Sequence, residues 1–508
     1  MHPSAALLVL SPGDDVAVAR GDIAPGQRLQ ADGIALIAEQ AVPSGHKIAL
    51  RKVAAGQRVL KYGQTIGQAT QDIAPGEHVH VHNLAMPATS TEHSLTNVYQ
   101  ATVPSQVAAT FEGFVRADGR VATRNFIGVI ASVNCSATVC KQIAQAFTAE
   151  RLKAFPNVDG VVAITHGSGC GMGAKGEGID ILKRTLRGYA DHANFAAVLL
   201  IGLGCEVNQL TPLMEELRER PAALKASLVI QDAGGTRATV QRGIAQIDAM
   251  LPLVDACQRT TVAARHLCVG LQCGGSDGYS GITANPALGA AVDLLVRQGG
   301  TAVLSETPEI YGAEHLLTAR AASADIAAQL MARIHWWEAY VRDNAGDMNN
   351  NPSPGNKAGG ITTILEKSLG AVAKGGASGL MGVYRYAQPV DTQGLVFMDT
   401  PGYDPVSATG QVAGGANLLC FTTGRGSTYG CKPTPSLKIA TNTRLFEHMA
   451  LDMDFNAGGI VDGLESVSEA GARLFQLMLD TASGRRTCSE DNGLGDNEFL
   501  PWQMGAVM

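Results

Sequence analysis

Cysteines at the ends of apolar runs are the first residues in this chain that could do chemistry. Cys135 sits in VNCSAT, Cys170 in HGSGCGMG, Cys205 in GLGCEVNQ and Cys273 in LQCGGSDG, each just past a segment that reads as a strand. Loops at the carboxyl ends of parallel strands line the ligand crevice of an open α/β sheet. Thiols from four distant parts of the chain are therefore expected to converge on one pocket, where thiolates suit zinc, iron or an iron–sulfur cluster. The plainer use of cysteine, as a small buried hydrophobe, suffices for Cys140, Cys257, Cys268, Cys420, Cys431 and Cys488. No CxxC pair sharpens the metal reading.

Harder donors stand beside these turns. Ser276, a candidate to hold the substrate, and Asp277 follow Cys273 in GGSDG, Glu206 and Asn208 follow Cys205, and Glu306 and Glu309 lie in SETPE. Asp277 and Glu306 are best placed to bind a hard divalent cation at a strand end, although an acid at a turn serves equally as a helix cap. Arg425, flanked by glycines in TTGRGSTYG, is suited to a forked grip on a carboxylate; Lys357 in SPGNKAGG and Arg124 in VATRN are weaker candidates for that role. Near the amino end, His46 and Lys47 follow one glycine turn and Lys61-Tyr62-Gly63 marks another. His78, His80 and His82 alternate, so they share one strand face, with His78 expected to be solvated. An imidazole poised near neutral pH is the usual proton carrier.

The elements that must position these residues change character along the chain. Residues 1–85 consist of short alternating segments broken by glycine turns, with D-I-A-P-G at 22–26 and again at 72–76, and predict a small all-β domain. Residues 86–109 are polar, rich in Ser and Thr, and read as a linker. From there on, apolar runs of β length are each followed by a glycine turn and a helical pattern, which predicts parallel α/β units divided into 110–260 and 261–508. Strands are expected at 125–133, 158–165, 196–203, 266–272, 301–306, 394–400 and 416–423, and a helical stretch at 314–343. No GxGxxG with a following acid supports dinucleotide binding.

Composition narrows the function class. A chain of 508 residues exceeds one ordinary core. Its formal charge of −7 is spread out, and no Lys/Arg block interleaves with aromatics, so nucleic acid is not an expected partner. No segment approaches the ~20 apolar residues of a membrane span, and the start MHPSAALLVL lacks a basic leader region. Cytoplasmic residence and reduced thiols follow as expectations.

Several long strings resemble the altronate and galactarate dehydratase family across nearly the whole chain. GHKIAL (45–50), KYGQTIGQA (61–69) and GEHVHVHN (76–83) are similar to its amino-terminal SAF, or β-clip, domain. GFVRADGRVATRN (113–125), GLGCEVNQ (202–209), QCGGSDGYSGITANPALG (272–289), NPSPGNKAGGITTILEKSLG (351–370) and TTGRGSTYG (422–430) match its body. The resemblance implies a β-clip domain on a linker, an α/β body with a Rossmann-like part, and a homodimer. It also implies iron-dependent loss of water from a sugar acid in hexuronate catabolism, with HVHVHN and the ending GLGDNEFLPW (493–502) favouring D-altronate, which gives 2-dehydro-3-deoxy-D-gluconate, over galactarate.

The expected hydro-lyase chemistry is removal of a proton α to a carboxylate, then departure of the 3-hydroxyl, both helped by an electrophilic metal. In this reading the loops of Cys135, Cys170, Cys205 and Cys273 surround iron, as Fe2+ or an iron–sulfur cluster, with another divalent cation as the alternative. Arg425 and Lys357 grip the carboxylate, and His46, supported by Lys47 and Tyr62, carries the proton. Galactarate, another aldonate or aldarate, or a sulfonated hydroxy acid are competing substrates. A non-catalytic sugar-acid sensor is the competing class.

Overall fold

The computed structural model describes residues 6–87, 97–218 and 224–505. In the small amino-terminal domain, one turn recurs. Ala24, Ala54 and Ala74 each donate their backbone N–H to the side-chain oxygen of Gln27, Gln57 or Glu77 three residues on. The intervening Gly26, Gly56 and Gly76 all have φ near +80°, where a β-carbon is strained. This shared turn explains the D-I-A-P-G repeat and adds KVAAGQ as a third copy. The turns fold the chain into antiparallel sheets: Leu7–Leu8, Val16–Ala19, Lys47–Ala49 and His78–Val79 form one, Arg28–Ala31 with Ile34–Ile37 a second, and Arg58–Lys61, Gln64–Ala69 and Leu84–Ala85 a third.

The body contains two parallel sheets. Gly160–Ile164, Phe126–Ala131, Phe195–Gly202 and Leu224–Val229 lie side by side in that order in the middle domain. The carboxyl-terminal domain is built on seven parallel strands, in the order Leu380–Tyr384, Gly394–Met398, Thr301–Leu304, Cys268–Cys273, Leu418–Thr423, Ser436–Ala440 and Phe455–Asn456. Helices cover both faces, so strands such as LLCFTT and GLVFM are buried at every position. Each large apolar side chain so enclosed contributes about 1.5–3 kcal/mol.

The chain enters and leaves the middle domain through one antiparallel sheet, in which Thr110–Val115 pairs with Arg259–Ala263 and with Val121–Ala122. A division at 260 therefore falls inside a strand, because that strand is the exit partner of the entry strand. Of the expected linker, 88–96 lie outside the described residues. The rest runs along the carboxyl-terminal domain, with Val98 N donating to Ala319 O (2.7 Å) and Ser105 N to Arg297 O (2.8 Å). The helical stretch expected at 314–343 is two helices, His315–Thr318 and Ala324–Asp343. The break is made by Ser323, whose side chain caps the second helix, and by Ala321, which bridges Leu380. No helix among the described residues is long and apolar enough to cross a membrane.

Candidate active site

The small domain is fastened to the carboxyl-terminal domain by buried charge. Glu366 accepts from Lys47 Nζ and from Lys61 Nζ, both at 2.9 Å, and also from Thr362 N (2.9 Å) and Thr362 Oγ1 (2.8 Å). All three charged side chains are at most 2 % exposed. Burial opposes ionisation of the Glu366 carboxyl, but the two ammoniums outweigh it and hold the group well below the usual carboxylate range. One carboxylate cannot satisfy two buried ammoniums equally: burial pulls Lys47 down to about 8 against the attraction of Glu366, whereas the Lys61 ammonium is held above its ordinary value. Lys47 also donates to Gly360 O (2.6 Å), and the Tyr279 hydroxyl donates to Ala19 O (2.7 Å) beside Ser44 Oγ.

The segment 353–361 is held between the two domains. His46 and His80 direct their Nε2 atoms at the carbonyls of Ala358 (3.2 Å) and Lys357 (2.8 Å). A carbonyl only accepts, so both Nε2 atoms carry the proton, and His46 Nδ1 accepts from His78 Nε2 at 3.0 Å. Both nitrogens of His46 are thus occupied. His78, expected in solvent, is half-buried against His46, His80 and His82, because the alternating strand that carries it faces the domain interface. Burial, reinforced by the neighbouring rings, lowers His78 to about 3. Burial likewise lowers His80 to about 4, so both are neutral at pH 7. On the far side of the segment, Gly278 N donates to Gly359 O (2.7 Å) and Asn356 Nδ2 to Ser276 O (2.9 Å). Gly360, at φ +102°, lies so close to Gly45 and His46 that a side chain there would collide with them.

Under this seam lies a small pocket whose walls include Lys61, Tyr62, Ser276, Gly281, Glu366 and Lys367. Beyond Ser276, at the carboxyl ends of the central strands, is a second cluster of charge. Lys374 pairs with Glu306 at 2.9 Å, both fully buried, and Lys367 pairs with Glu309 at 2.8 Å and with Asn351 Oδ1 at 2.6 Å. The Asp404 carboxylate packs against Gly274, filling the space a β-carbon would need. Burial pushes Glu306 up to about 8 despite Lys374. Burial and then the charge of Glu309 push Asp404 up to about 7. Glu306 Oε1 and Glu309 Oε2 have no hydrogen-bond partner among the described residues. Asp404 is half-buried as a residue, whereas Glu306 and Glu309 are almost fully enclosed.

The residues singled out from sequence fall into four groups. Arg425 is exposed on the loop after Leu418–Thr423, its β-carbon beside Gly275, and neither it nor the half-buried Lys357 ammonium forms an ion pair among the described residues. Arg425 lies beside Gly275 in the loop that follows Cys273, and Lys357 lies in the segment whose carbonyl meets His80. Cys273 is buried at the crevice, its Sγ 2.6 Å from Ser276 Oγ, and burial pushes its thiol up. Asp277 is an internal brace: its carboxylate accepts from Tyr279 N, Ser280 Oγ, Thr441 Oγ1 and Asn442 Nδ2, leaving no free face for a cation. Arg124 is not a substrate ligand. It is buried in a forked pair with Glu490 (2.7 and 2.9 Å) and donates to the carbonyls of Thr123, Thr481 and Arg485, which uses up its donors. Cys135, Cys170 and Cys205 are exposed and belong to the middle domain, at the end of the other sheet from Cys273. Among the described residues, no three His, Cys, Asp or Glu side chains are gathered closely enough to hold one metal ion. The Lys374 and Lys367 ammoniums already stand 2.9 and 2.8 Å from Glu306 and Glu309, where such an ion would have to bind.

Glu366, Lys367, Lys374, Asp404 and Asn351 were not singled out from sequence. Glu366 and Lys367 lie in the TTILEKSLG string, where adjacent opposite charges inside an apolar helix were the available signal. Asp404, in PGYDP, has the look of an ordinary helix start.

Three family models cover almost the full chain: an altronate/galactarate dehydratase SAF domain at 5–87, the D-galactarate dehydratase/altronate hydrolase second domain at 113–255, and the D-galactarate/altronate dehydratase carboxyl-terminal domain at 264–507. This chain belongs to the altronate/galactarate dehydratase family. It is 37% identical to galactarate dehydratase (L-threo-forming) of Escherichia coli strain K12, over 97% of this chain and 96% of that one. It is 35% identical to altronate dehydratase of Bacillus subtilis strain 168, over 94% and 95% of the two chains, and 35% identical to altronate dehydratase of E. coli K12 over the same shares. As a member of the altronate/galactarate dehydratase family, the protein is a sugar-acid dehydratase, a hydro-lyase.

Proposed function

We propose that this protein dehydrates D-altronate to 2-dehydro-3-deoxy-D-gluconate in the crevice between the small and carboxyl-terminal domains. The observation that carries this reading is one buried cluster at the strand ends, in which Glu306, Glu309 and Asp404 stand with Lys367 and Lys374, and the exposed Arg425 on the neighbouring loop beside Gly275. Arg425 binds the substrate carboxylate in a forked pair. Asp404, in its ionised form, takes the C2 proton as the C2–H bond breaks. Lys367 and Lys374 oppose the charge that develops on the enediolate, in a site already fixed before reaction. Glu306, still protonated at neutral pH, gives its proton to the 3-hydroxyl; C3–O breaks, water leaves, and the resulting C2 enol ketonises.

Acid–base chemistry is assigned to Asp404 and Glu306 in place of His46 because His46 has no free nitrogen. His46, Lys47 and Tyr62 are positioning residues in this reading: they lock the 357–360 segment and the pocket wall over the crevice. HVHVHN and GLGDNEFLPW support D-altronate. Galactarate is the second reading, supported by the 37% identical galactarate dehydratase and by Lys357, a second cation for a second carboxylate. A panel of aldonates and aldarates assayed for 2-keto acid formation under reducing conditions with added Fe2+ tests this. D-Altronate should give the highest kcat/KM; a preference for galactarate transfers the reading to that acid, and turnover of neither contradicts both.

A further inference from the structure

A chain of buried hydroxyls links the loop of Glu306 to the helix of Asp404. We propose that Thr400 and Ser407 are positioning residues that fix the Glu306 carboxyl relative to the Asp404 carboxylate, so that removal of the C2 proton and departure of the 3-hydroxyl occur in step. This deepens the dehydratase reading and rests on its assignment of Asp404 and Glu306.

Glu306 needs such support. It is a non-glycine residue in the left-handed region, at φ +70° and ψ +64°, a conformation that persists only where its surroundings over-determine it. Its N–H donates to Thr400 Oγ1 (2.9 Å), and the next N–H, of Thr307, donates to Thr400 O (3.0 Å). Thr400 therefore grips the strained turn through both its side chain and its backbone.

Asp404 meets the same network from the other side. It opens helix Asp404–Ala413, and Ser407 lies one turn further on. Ser407 Oγ stands 2.7 Å from Thr400 Oγ1 and 2.8 Å from the hydroxyl of Ser305, the residue before Glu306. Thr400 Oγ1 donates to Pro401 O (3.1 Å), so Ser407 donates to Thr400 and Ser305 donates to Ser407, each hydroxyl having one proton to give. Two amides hold the serines in place: Gln272 Nε2 donates to Ser407 Oγ (2.9 Å) and Gln411 Nε2 to Ser305 Oγ (2.7 Å). Gly270 leaves room for Gln411, whose Oε1 a β-carbon there would strike. All five side chains are at most 1 % exposed. Packing alone does not call for hydroxyls here, since valine has the shape of threonine and burying a hydroxyl is costly without partners. The N–H of Glu306 does call for one, and Ser407 ties that acceptor to the helix that carries Asp404.

The test uses the full chain with added Fe2+ under reducing conditions and the preferred sugar acid deuterated at C2. T400V keeps the shape of Thr400 and removes its hydroxyl, T400S keeps the hydroxyl, and S407A breaks the link at its other end. With Glu306 displaced, Asp404 still takes the C2 deuteron, exchanges it with solvent and returns a proton to C2, because C3–O no longer breaks in step. T400V and S407A should therefore form 2-keto acid about 10–100-fold more slowly, the cost of misplacing a reacting group by about 1 Å. KM should change little, and unreacted substrate should lose its label, which in wild-type protein leaves only as product forms. T400S should restore the wild-type rate and the wild-type ratio of label to product. Equal falls in label release and product in T400V and S407A, a T400S variant as impaired as T400V, or failure of both T400V and S407A to fold marks the network as structural support alone and overturns the inference. Wild-type turnover by D404N removes the acid–base reading itself, whereas an inactive D404N beside fully active T400V and S407A removes only this inference.

Discussion

Replacing Glu366 by glutamine should release the small domain from the crevice it covers. The side chain is 2 % exposed and, among the described residues, is the only carboxylate paired with Lys47 and Lys61, which are themselves 0 % and 2 % exposed. Glutamine keeps the shape and can still accept from Thr362, but it removes the charge and points an amide N–H₂ toward an ammonium. Breaking a buried pair by removing one partner costs about 3–5 kcal/mol, mostly for the stranded charge. With about 1.4 kcal/mol per tenfold, docking of the domain should weaken by about 10²- to 4 × 10³-fold. Hydrogen exchange reports this directly: amides of Lys47–Ala49, Arg58–Lys61 and the 357–366 segment should lose protection in E366Q, while those of Phe195–Gly202 should not. A K47M/K61M/E366L variant, apolar throughout, should recover most of the loss, because replacing a whole buried ion pair by packed apolar groups is often near neutral. Unchanged exchange in E366Q, or a triple variant worse than the single one, would refute the reasoning.

Further expectations follow from the same contacts. D404N should lower kcat by about 10²–10⁴ with little change in KM, as loss of a proton carrier does; a fall confined to KM contradicts the role. R425A should lower kcat/KM by about 10–100-fold, the worth of a charge-assisted pair, and mainly through KM. The pH profile of kcat/KM should be a bell, falling below about 7 as Asp404 becomes protonated and above about 8 as Glu306 loses its proton; a profile flat from pH 6 to 9 contradicts the pair. His78 and His80 are held neutral in the folded protein, so their contribution to domain docking is full above the ordinary histidine pKa of about 6.5 and lost as pH falls toward 4. Acid-dependent loss of protection should therefore begin at the His78–Val79 strand. R124A should cost about 3–5 kcal/mol of stability by stranding Glu490 and leave the activity per folded molecule unchanged.

Much of the scaffold is legible in the chain because parallel strands covered on both faces must be apolar throughout. Runs such as NFIGVIASV and ANLLCFTT therefore mark strands Phe126–Ala131 and Leu418–Thr423. What escapes this reading lacks that signal. Ser436–Ala440 carries Lys438, whose long stem is buried inside the sheet, so the strand looks interrupted. Thr110–Val115 and Arg259–Ala263 are partly exposed and form no continuous apolar run, and their pairing across the whole middle domain leaves no local trace. At the site, glycine-flanked Arg425 and strand-end Cys273 are visible because their sequence neighbours reveal the turn. Asp404 becomes interesting only when the fold sets it over Gly274 and near Glu309, Lys367 and Lys374. Arg124 misleads for the complementary reason: an arginine in a polar turn gives no sign that Glu490, from the far end of the chain, will claim it.

Deuterium placed at C2 of D-altronate gives the most direct measurement, followed in single-turnover reactions of the wild-type protein and D404N. The account predicts that wild-type protein forms the 2-keto acid and releases the label to solvent, whereas D404N, folded and able to bind the acid, does neither. Release of the label and formation of product by D404N at the wild-type rate would contradict it.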